Sequence, residues 1–206
     1  MGITERRERE REEIRRKILD AARDLFASQG YDRVTMRAVA DAIEYSPTTI
    51  YHHFEDKDDL VKALCETDFA GLLGALAQQP PPSDPVEWIR QLGLAYARFG
   101  LAYPNHYRFM FMTPEKDVAK EPDSPGDRSF GLLRAAVASA VATGRFRPGD
   151  ANTMAQVLWA GLHGAVSLLI TLRPEHWPQG PAASDLVDLV IAHGLQGFLA
   201  EPQGRG

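Results

Sequence analysis

Hydroxyl-bearing side chains cluster at the start of one helical segment, Ser46-Pro47-Thr48-Thr49-Ile50-Tyr51-His52. Ser46 suits an N-cap, and Pro47 suits the first helical position, because the N–H that proline lacks would be unpaired there anyway. Hydroxyl groups and the unpaired amides of a helix N-terminus can together reach phosphates and base edges. A recognition helix enters a major groove in this way, so the segment predicts DNA binding.

This segment must be the second helix of a pair if it is to reach a groove. Thr35 can cap a preceding helix, and the residues between the two are short enough for a tight turn. Apolar residues at three- and four-residue spacing predict the inward faces of both helices. They are Met36, Val39, Ala40 and Ile43 on the first helix, and Ile50, Tyr51 and Phe54 on the second. The region therefore has the layout of a helix-turn-helix.

Here the sequence resembles the TetR family of bacterial one-component transcription regulators. The residues that carry the resemblance are Ile18-Leu19-Asp20-Ala21-Ala22-Arg23-Asp24-Leu25-Phe26, Gly30-Tyr31, Thr35, Val39-Ala40, Ser46, Ile50-Tyr51-His52-His53-Phe54, Lys57 and Leu60. One departure is Glu44-Tyr45, where the family usually has Gly-Val. A glutamate at a positive φ would carry a backbone strain of roughly 1 kcal/mol; otherwise the turn would adopt another geometry.

The expected DNA contacts combine this chemistry with the resemblance. Tyr45 adds a hydroxyl-bearing ring beside the recognition helix, and Arg37 and Lys57 are expected to contact phosphates. The full set is Thr35, Arg37, Tyr45, Ser46, Thr48, Thr49, Tyr51, His52 and Lys57.

The overall charge does not itself favour DNA binding. The 206-residue chain has a net charge of −5. Arg15, Arg16 and Lys17 could supply a local basic rim. The Arg/Glu-rich stretch from Glu5 to Lys17 is either a solvated, salt-bridged helix extension or an arm that touches DNA. Cys65 is the only cysteine, and with no apolar run of 18 residues and no signal-peptide pattern, a reduced cytoplasm and no membrane are expected.

Helical periodicity extends over nearly the whole chain. It predicts an all-α fold of nine helices, which is also what the resemblance implies: a three-helix DNA-binding domain at residues 1–56 and an effector-binding and dimerisation domain at 57–206. The fourth helix, about 57–78, connects the two. Helix one is expected at about 8–29, helix seven at 127–143, helix eight at 149–172 and helix nine at 184–200, with Pro-rich loops at 114–126 and 173–181.

A second resemblance lies in Trp159-Ala160-Gly161-Leu162-His163-Gly164, which is similar to the Trp-His-Gly signature of one TetR ligand-domain subfamily. His163 is either an effector contact or a hydrogen-bonded core histidine. The aromatic residues upstream either line an apolar pocket or pack the core. The expected effector pocket consists of Phe99, Tyr103, Tyr107, Phe111, Trp159 and His163.

The chain offers little for metal binding or catalysis. His52 and His53 are adjacent on a helix and point about 100° apart, and no further ligand recurs at a workable spacing. The sequence has no nucleophile-elbow glycine pattern, no phosphate-binding loop and no paired carboxylates in an apolar context, and Cys65 is expected in the core. We expect no metal, no cofactor and no enzyme activity.

The last helix carries a broad apolar stripe, which either packs within one chain or forms a dimer with helix eight. Its residues are Leu186, Val187, Val190, Ile191, Leu195 and Phe198. The predicted function is a homodimeric repressor, released from a palindromic operator by a small apolar or aromatic effector. The alternatives are a DNA-associated protein whose large domain binds a protein partner, and an enzyme that uses His163.

Overall fold

The computed structural model describes residues 2–79, 81–112, 122–172 and 182–201. Within these ranges the chain forms nine α-helices, and its only extended pairing is an isolated bridge between Phe146 and Leu199. The helices are α1 (Ile3–Gln29), α2 (Met36–Ala42), α3 (Pro47–Tyr51), α4 (Lys57–Ala77), α5 (Pro85–Ala102), α6 (Pro104–Met112), α7 (Pro125–Ala142), α8 (Ala151–Thr171) and α9 (Ala183–Gln196). The all-α, nine-helix prediction is confirmed.

Side-chain caps explain where most of these helices begin. The Thr35 hydroxyl accepts a hydrogen bond from the Ala38 N–H at 3.1 Å, and the Asp150 carboxylate accepts one from the Thr153 N–H at 2.7 Å. Asp84 caps α5 in the same way. The predicted boundaries differ at α1, which begins at Ile3 rather than near residue 8, and at α7, which begins at Pro125. The predicted loop at 173–181 lies outside the described residues, as does most of the loop at 114–126.

The chain divides into two compact units. The first unit comprises Met1–Phe69 and Asn105–Glu121, and the second comprises Ala70–Pro104 and Pro122–Gly206. The division therefore falls inside α4, and all of α6 except Pro104 belongs to the first unit. The boundary predicted between residues 56 and 57 concerns function and stays a prediction.

The first unit is built on a core shared by α1, α2, α3, α4 and α6. Ile18, Phe26 and Leu60 are buried there with Ile50 of the recognition helix. Phe109 of α6 joins the same core, with its ring centre 5.7 Å from that of Phe26. Because α3 contributes only one fully buried side chain, its orientation depends on the core that its neighbours form.

A buried ion pair connects α1 to α4 within the first unit. The guanidinium of Arg23 donates to both carboxylate oxygens of Asp68 at 2.8–3.0 Å, and both residues are at least 96% buried. A further N–H of Arg23 donates to Asp20 at 2.7 Å. Burial acts to lower the pKa of Arg23, but the hydrogen bonds and charges of Asp68 and Asp20 together outweigh it, so the pKa lies above its ordinary value. A paired and hydrogen-bonded charge of this kind tolerates burial, whereas a single partner left alone would not.

The second unit packs α5, α7, α8 and α9 around Leu92, Val137 and Val166. Gly93 allows α5 and α9 to approach closely, since a Cβ at this position would lie 3.1 Å from the Ile191 side chain.

Among the described residues, α8 is long and apolar enough to cross a membrane by length and composition, with a mean hydropathy of 1.4. The sequence contains no uninterrupted apolar run of 18 residues, because polar residues such as Gln156 and His163 lie among the apolar residues of α8. The average hydropathy of the helix is nevertheless high enough for it to qualify. The helix packs against α5, α7 and α9 in the second unit, although only 28% of its apolar stretch is buried there. A large part of an apolar helix thus lies on the surface of the single chain.

Candidate functional site

The start of α3 has the geometry that its sequence predicts. The Ser46 hydroxyl accepts a hydrogen bond from the Thr49 N–H at 3.2 Å, and Pro47 occupies the first turn. The hydroxyls of Ser46 and Thr49 are 3.0 Å apart, so Thr49 is already engaged in the cap. Thr48 is exposed and is the hydroxyl of this turn that is freest to meet a ligand.

Tyr51 faces outwards, which corrects the inward orientation that its spacing predicts. Its side chain is 55% exposed, and His52 is exposed beside it. The reason is that α3 ends at Tyr51 after five residues, and the side chains of this segment that enter the core are those of Ile50 and Phe54. The outward orientation is the one that a DNA contact requires.

The turn between α2 and α3 adopts a left-handed backbone at Glu44, whose φ is 60°. Of the two outcomes that the sequence left open, the glutamate therefore takes the strained one, at a cost of about 1–2 kcal/mol. The Tyr45 N–H donates to the Ala40 carbonyl at 3.0 Å and closes the turn, leaving the Tyr45 side chain half-buried.

Arg37 and Lys57, the predicted phosphate contacts, differ in their surroundings. Arg37 is exposed, and its guanidinium lies 3.9 Å from the Asp41 carboxylate on the same helix. The Lys57 ammonium lies 3.8 Å from the centre of the Tyr31 ring and donates to the Tyr31 carbonyl. Lys57 is therefore partly engaged within its own unit, whereas Arg37 is held only by a weak surface pair.

A polar cluster in the second unit surrounds His163. The Tyr96 hydroxyl lies 2.9 Å from His163 Nδ1, the Ser167 hydroxyl lies 3.4 Å from Nε2, and the Trp159 ring centre is 5.2 Å from the imidazole centre. The Phe130 ring meets Trp159 edge-on at 6.3 Å. Burial lowers the pKa of His163, which favours a neutral imidazole that can donate from one nitrogen and accept at the other.

Sequence reasoning missed Tyr96 and Ser167 as members of this cluster. Ser167 lies four residues after His163 on one helix, and that spacing alone could have identified it. Tyr96 lies on the buried stripe of α5, where its hydroxyl needs a partner, but only the packing of α5 against α8 shows which one.

The predicted effector residues are split between the two units. Phe99 and Tyr103 form a ring pair in the second unit, with centres 5.3 Å apart. Tyr107 and Phe111 belong to the first unit, where their rings are 4.9 Å apart and Phe111 meets Phe69. Tyr107 is completely buried. Phe109, between them on α6, packs in the hydrophobic core of the first unit. Tyr107 and Phe111 thus lie on a helix of the first unit, and their place in an effector pocket stays a prediction.

The predicted dimer stripe also needs correction. Val187, Ile191 and Leu195 are buried within the single chain, so they form its core rather than its surface. Leu186, Val190 and Phe198 are half-buried, and the Phe198 ring lies 5.9 Å from that of Phe146. The most exposed apolar side chain of α9 is Leu189, which the predicted stripe omits.

Metal ligation finds no support in the part of the chain that the structure describes. No group of three His, Cys, Asp or Glu side chains there is placed to hold a metal ion. Cys65 is half-buried against the core of the first unit.

Both parts of the chain match known families. Residues 18–64 match the family described as bacterial regulatory proteins, tetR family. Residues 89–193, about half of the chain, match the tetracyclin repressor-like C-terminal domain. The repressor Rv1474c of Mycobacterium tuberculosis is 39% identical over 84 residues, which are 36% of this chain and 45% of that protein. The repressor AcnR of Corynebacterium diphtheriae is 38% identical over 64 residues, which are 31% of this chain and 34% of that protein. The match thus spans less than half the length of these curated relatives.

Solved structures share the fold over nearly their whole length. A TetR family transcription regulator from Marinobacter aquaeolei superimposes with a TM-score of 0.73 at 18% identity, covering 96% of this chain and 100% of that one. The TetR family regulator PfmR from Thermus thermophilus gives a TM-score of 0.68 at 23% identity, covering 87% and 97%. With the family matches at both ends, this chain belongs to the TetR family of DNA-binding transcription regulators, which are not enzymes.

Proposed function

We propose that this chain is a homodimeric transcriptional repressor that binds a palindromic operator and leaves it when a small apolar or aromatic effector binds. The observation that carries the proposal is the capped start of α3, which presents Thr48, Tyr51 and His52 on the surface. One short helix buries too little surface to bind DNA alone, so two copies related by a two-fold axis should read two half-sites. Two relatives named as repressors support the direction of regulation.

Selection from random DNA duplexes tests the operator proposal. A palindromic sequence should be enriched, and Thr48→Ala should weaken binding to it by about 1–3 kcal/mol if the hydroxyl contacts a base. Ser28→Ala is the matched control, because the Ser28 hydroxyl donates to the Asp24 carbonyl of its own helix at 2.6 Å. A selection that enriches no palindrome would refute the proposal.

An exposed apolar surface supports the homodimer. On α8, Val157 and Leu168 are exposed at helical spacing, and Leu172 is exposed just after the helix ends. At Gly164, between Val157 and Leu168, a Cβ would meet no neighbouring atom. On α9, Leu189 is 61% exposed. Because α8 and α9 pack side by side, their outer faces adjoin, and a second copy of the same surface could close a four-helix interface.

Sedimentation tests the interface with substitutions that spare the core. Leu189→Glu and Leu168→Glu should each give monomers that retain their helix content and lose operator affinity, because an unpaired charge would enter the interface. Gln156→Glu, at an exposed position next to Val157, is the matched control and should remain dimeric. A dimer that survives both leucine substitutions would mean that the chains associate elsewhere.

The polar cluster around His163 supports the effector proposal and the subfamily with the Trp-His-Gly signature. Trp159 offers an aromatic face, and His163 and Ser167 offer hydrogen bonds beside it. Trp159, His163 and Ser167 together fit an apolar or aromatic molecule that carries a carbonyl or hydroxyl.

Calorimetric titration with and without operator tests the effector proposal. An effector that releases DNA must bind more weakly when operator is present, and by the same factor by which it weakens operator binding, about 5- to 150-fold. His163→Ala should reduce effector affinity, whereas His193→Ala, an exposed histidine on α9, should not. If no apolar or aromatic compound binds and a protein is required for release from DNA, the alternative with a protein partner would be correct. Such a regulator acts where the DNA is, so we place it in the bacterial cytoplasm.

A further inference from the structure

The outer part of α1 forms a charged groove beside the recognition helix. The part of the chain that matches the TetR family begins at Ile18, but α1 begins fifteen residues earlier, at Ile3. Between this extension and the end of α3 lies a groove of about 490 Å³, lined by Glu8, Arg11, Glu12, Arg15 and His53. The groove lies within the first unit and adjoins the exposed His52.

The charges of the extension are paired unequally. On other faces of α1, Arg6 pairs with Glu10 at 3.1 Å and Lys17 pairs with Glu13 at 3.3 Å. On the groove face, neither Arg11 nor Arg15 forms an ion pair with any described residue, and the same is true of Arg7, Arg9 and Arg16 elsewhere on the extension. The guanidinium charges of Arg11 and Arg15 are therefore not neutralised by a neighbouring carboxylate in the described part of the chain.

Arg15 is held in place by an aromatic ring and not by a carboxylate. Its guanidinium lies 4.5 Å above the Phe54 ring, and Phe54 is buried in the core that orients α3. A stacked guanidinium keeps its edge N–H groups available for an anion. Burial, followed by the charges of Arg11 and Arg15, lowers the pKa of His53, and the opposing effect of Glu12 is smaller. The positive charges of Arg11 and Arg15 therefore act on His53 more strongly than the negative charge of Glu12 does.

We propose that Arg11, Arg15 and His53 together bind one phosphate of the operator backbone, so that the α1 extension enlarges the DNA contact beside α3. Guanidinium groups match phosphate geometry, and a neutral imidazole can donate one N–H to the same anion. Glu8 and Glu12 line the same groove and repel phosphate. We therefore expect the groove to bind a phosphate of the DNA backbone only when the recognition helix is docked on the operator. The inference rests on the proposed operator binding.

The salt dependence of operator binding tests this role. Each phosphate contact contributes about 0.9 to the slope of log K against log salt concentration, so a dimer that loses one contact in each half-site should lose about 2. Arg11→Ala should lower the slope by this amount and weaken binding on the order of 10- to 100-fold at 0.1 M salt. Glu12→Gln should strengthen binding, because it removes a repulsive carboxylate. Arg6→Ala is the matched control, since Arg6 is already paired with Glu10.

Each outcome is informative because Arg11 is exposed and its replacement leaves the core intact. Arg15→Ala removes the contact with Phe54, so Arg15→Met, which keeps an apolar stem over the ring, serves as its second variant. A lower slope for Arg11→Ala and Arg15→Met but not for Arg6→Ala supports the phosphate contact. An unchanged slope in Arg11→Ala, with the palindrome still bound, overturns it and leaves the operator proposal standing. If the wild-type protein selects no palindrome, the operator proposal itself is overturned, and the phosphate contact that rests on it falls with it.

Discussion

We predict that replacing Glu44, at the left-handed turn, by glycine stabilises the folded protein, which is the opposite of the usual effect of glycine. Replacing a residue by glycine normally destabilises a folded protein, because glycine gains more freedom in the unfolded chain. At Glu44, where φ is 60°, glycine would instead relieve strain between Cβ and the backbone. The side chain is exposed and makes no hydrogen bond or ion pair with the described residues, so its removal should cost nothing else.

The size of the effect follows from two opposing terms. Relief of the left-handed conformation gives about 1–2 kcal/mol, and the added freedom of the unfolded chain removes about 0.4–1 kcal/mol. Glu44→Gly should therefore stabilise the protein by about 0.5–1 kcal/mol. With a denaturant slope of about 2 kcal/mol/M, the urea midpoint should rise by about 0.3–0.5 M.

Comparison with alanine isolates the backbone. At position 44, alanine retains the strain, so Glu44→Gly should be more stable than Glu44→Ala. At Glu66, an exposed position within α4, the order should reverse, since glycine costs about 1 kcal/mol relative to alanine inside a helix. Urea unfolding followed by circular dichroism measures all four variants. If glycine is less stable than alanine at both positions, residue 44 does not hold a left-handed conformation, and the account of the turn is wrong.

Three further predictions concern buried or titrating groups. Asp68→Ala should cost about 3–5 kcal/mol because it removes the buried partner of the Arg23 charge and leaves only the exposed Asp20 beside it, and Arg23→Met with Asp68→Leu should recover most of the loss in urea unfolding. The hydrogen bond to Asp58 raises the pKa of Tyr31 to about 12. Its stabilising effect should therefore be present below pH 10 and lost as the pH rises towards 12. The melting temperatures of wild type and Tyr31→Phe should differ at pH 9 and converge at pH 12. Burial lowers the pKa of His163, so the unfolded chain takes up a proton first, and stability should fall below pH 6.5 in wild type by more than in His163→Gln.

The parts of the fold that could be predicted from the sequence depend on neighbouring residues along the chain. Ser46 with Pro47, and Thr35, occupy the predicted cap positions, because a side-chain cap involves only the next three residues. The inner face predicted for α2 is likewise confirmed at Met36, Val39 and Ala40, because residues three and four apart share one face of a helix.

The features that could not be predicted depend on distant packing. Tyr51 lies in a helix of five residues, which is too short for its period to distinguish the inner from the outer face. Tyr107 belongs to an aromatic stretch that either unit could have used, and only the packing of α6 decided between them. The stripe of α9 shows the same difficulty, because Val187 and Leu189 are equally apolar, yet one is buried and the other exposed.

The position of α6 reduces the number of residues that can support the proposed effector site. Because Tyr107 and Phe111 belong to the first unit, fewer aromatic side chains remain in the second unit to hold an apolar ligand. The effector proposal therefore depends more on the hydrogen-bonding groups around His163. Apolar contacts alone distinguish ligands poorly, since one methylene changes affinity only about 10- to 200-fold, whereas a site built for a hydrogen bond can reject a ligand that lacks the group by about 10⁴-fold. Selectivity at this site should therefore follow the carbonyl or hydroxyl of the effector more than the shape of its apolar part. Titration with a pair of compounds that differ only in that group would test the argument, and equal affinities would show that the hydrogen bonds of His163 serve the fold alone.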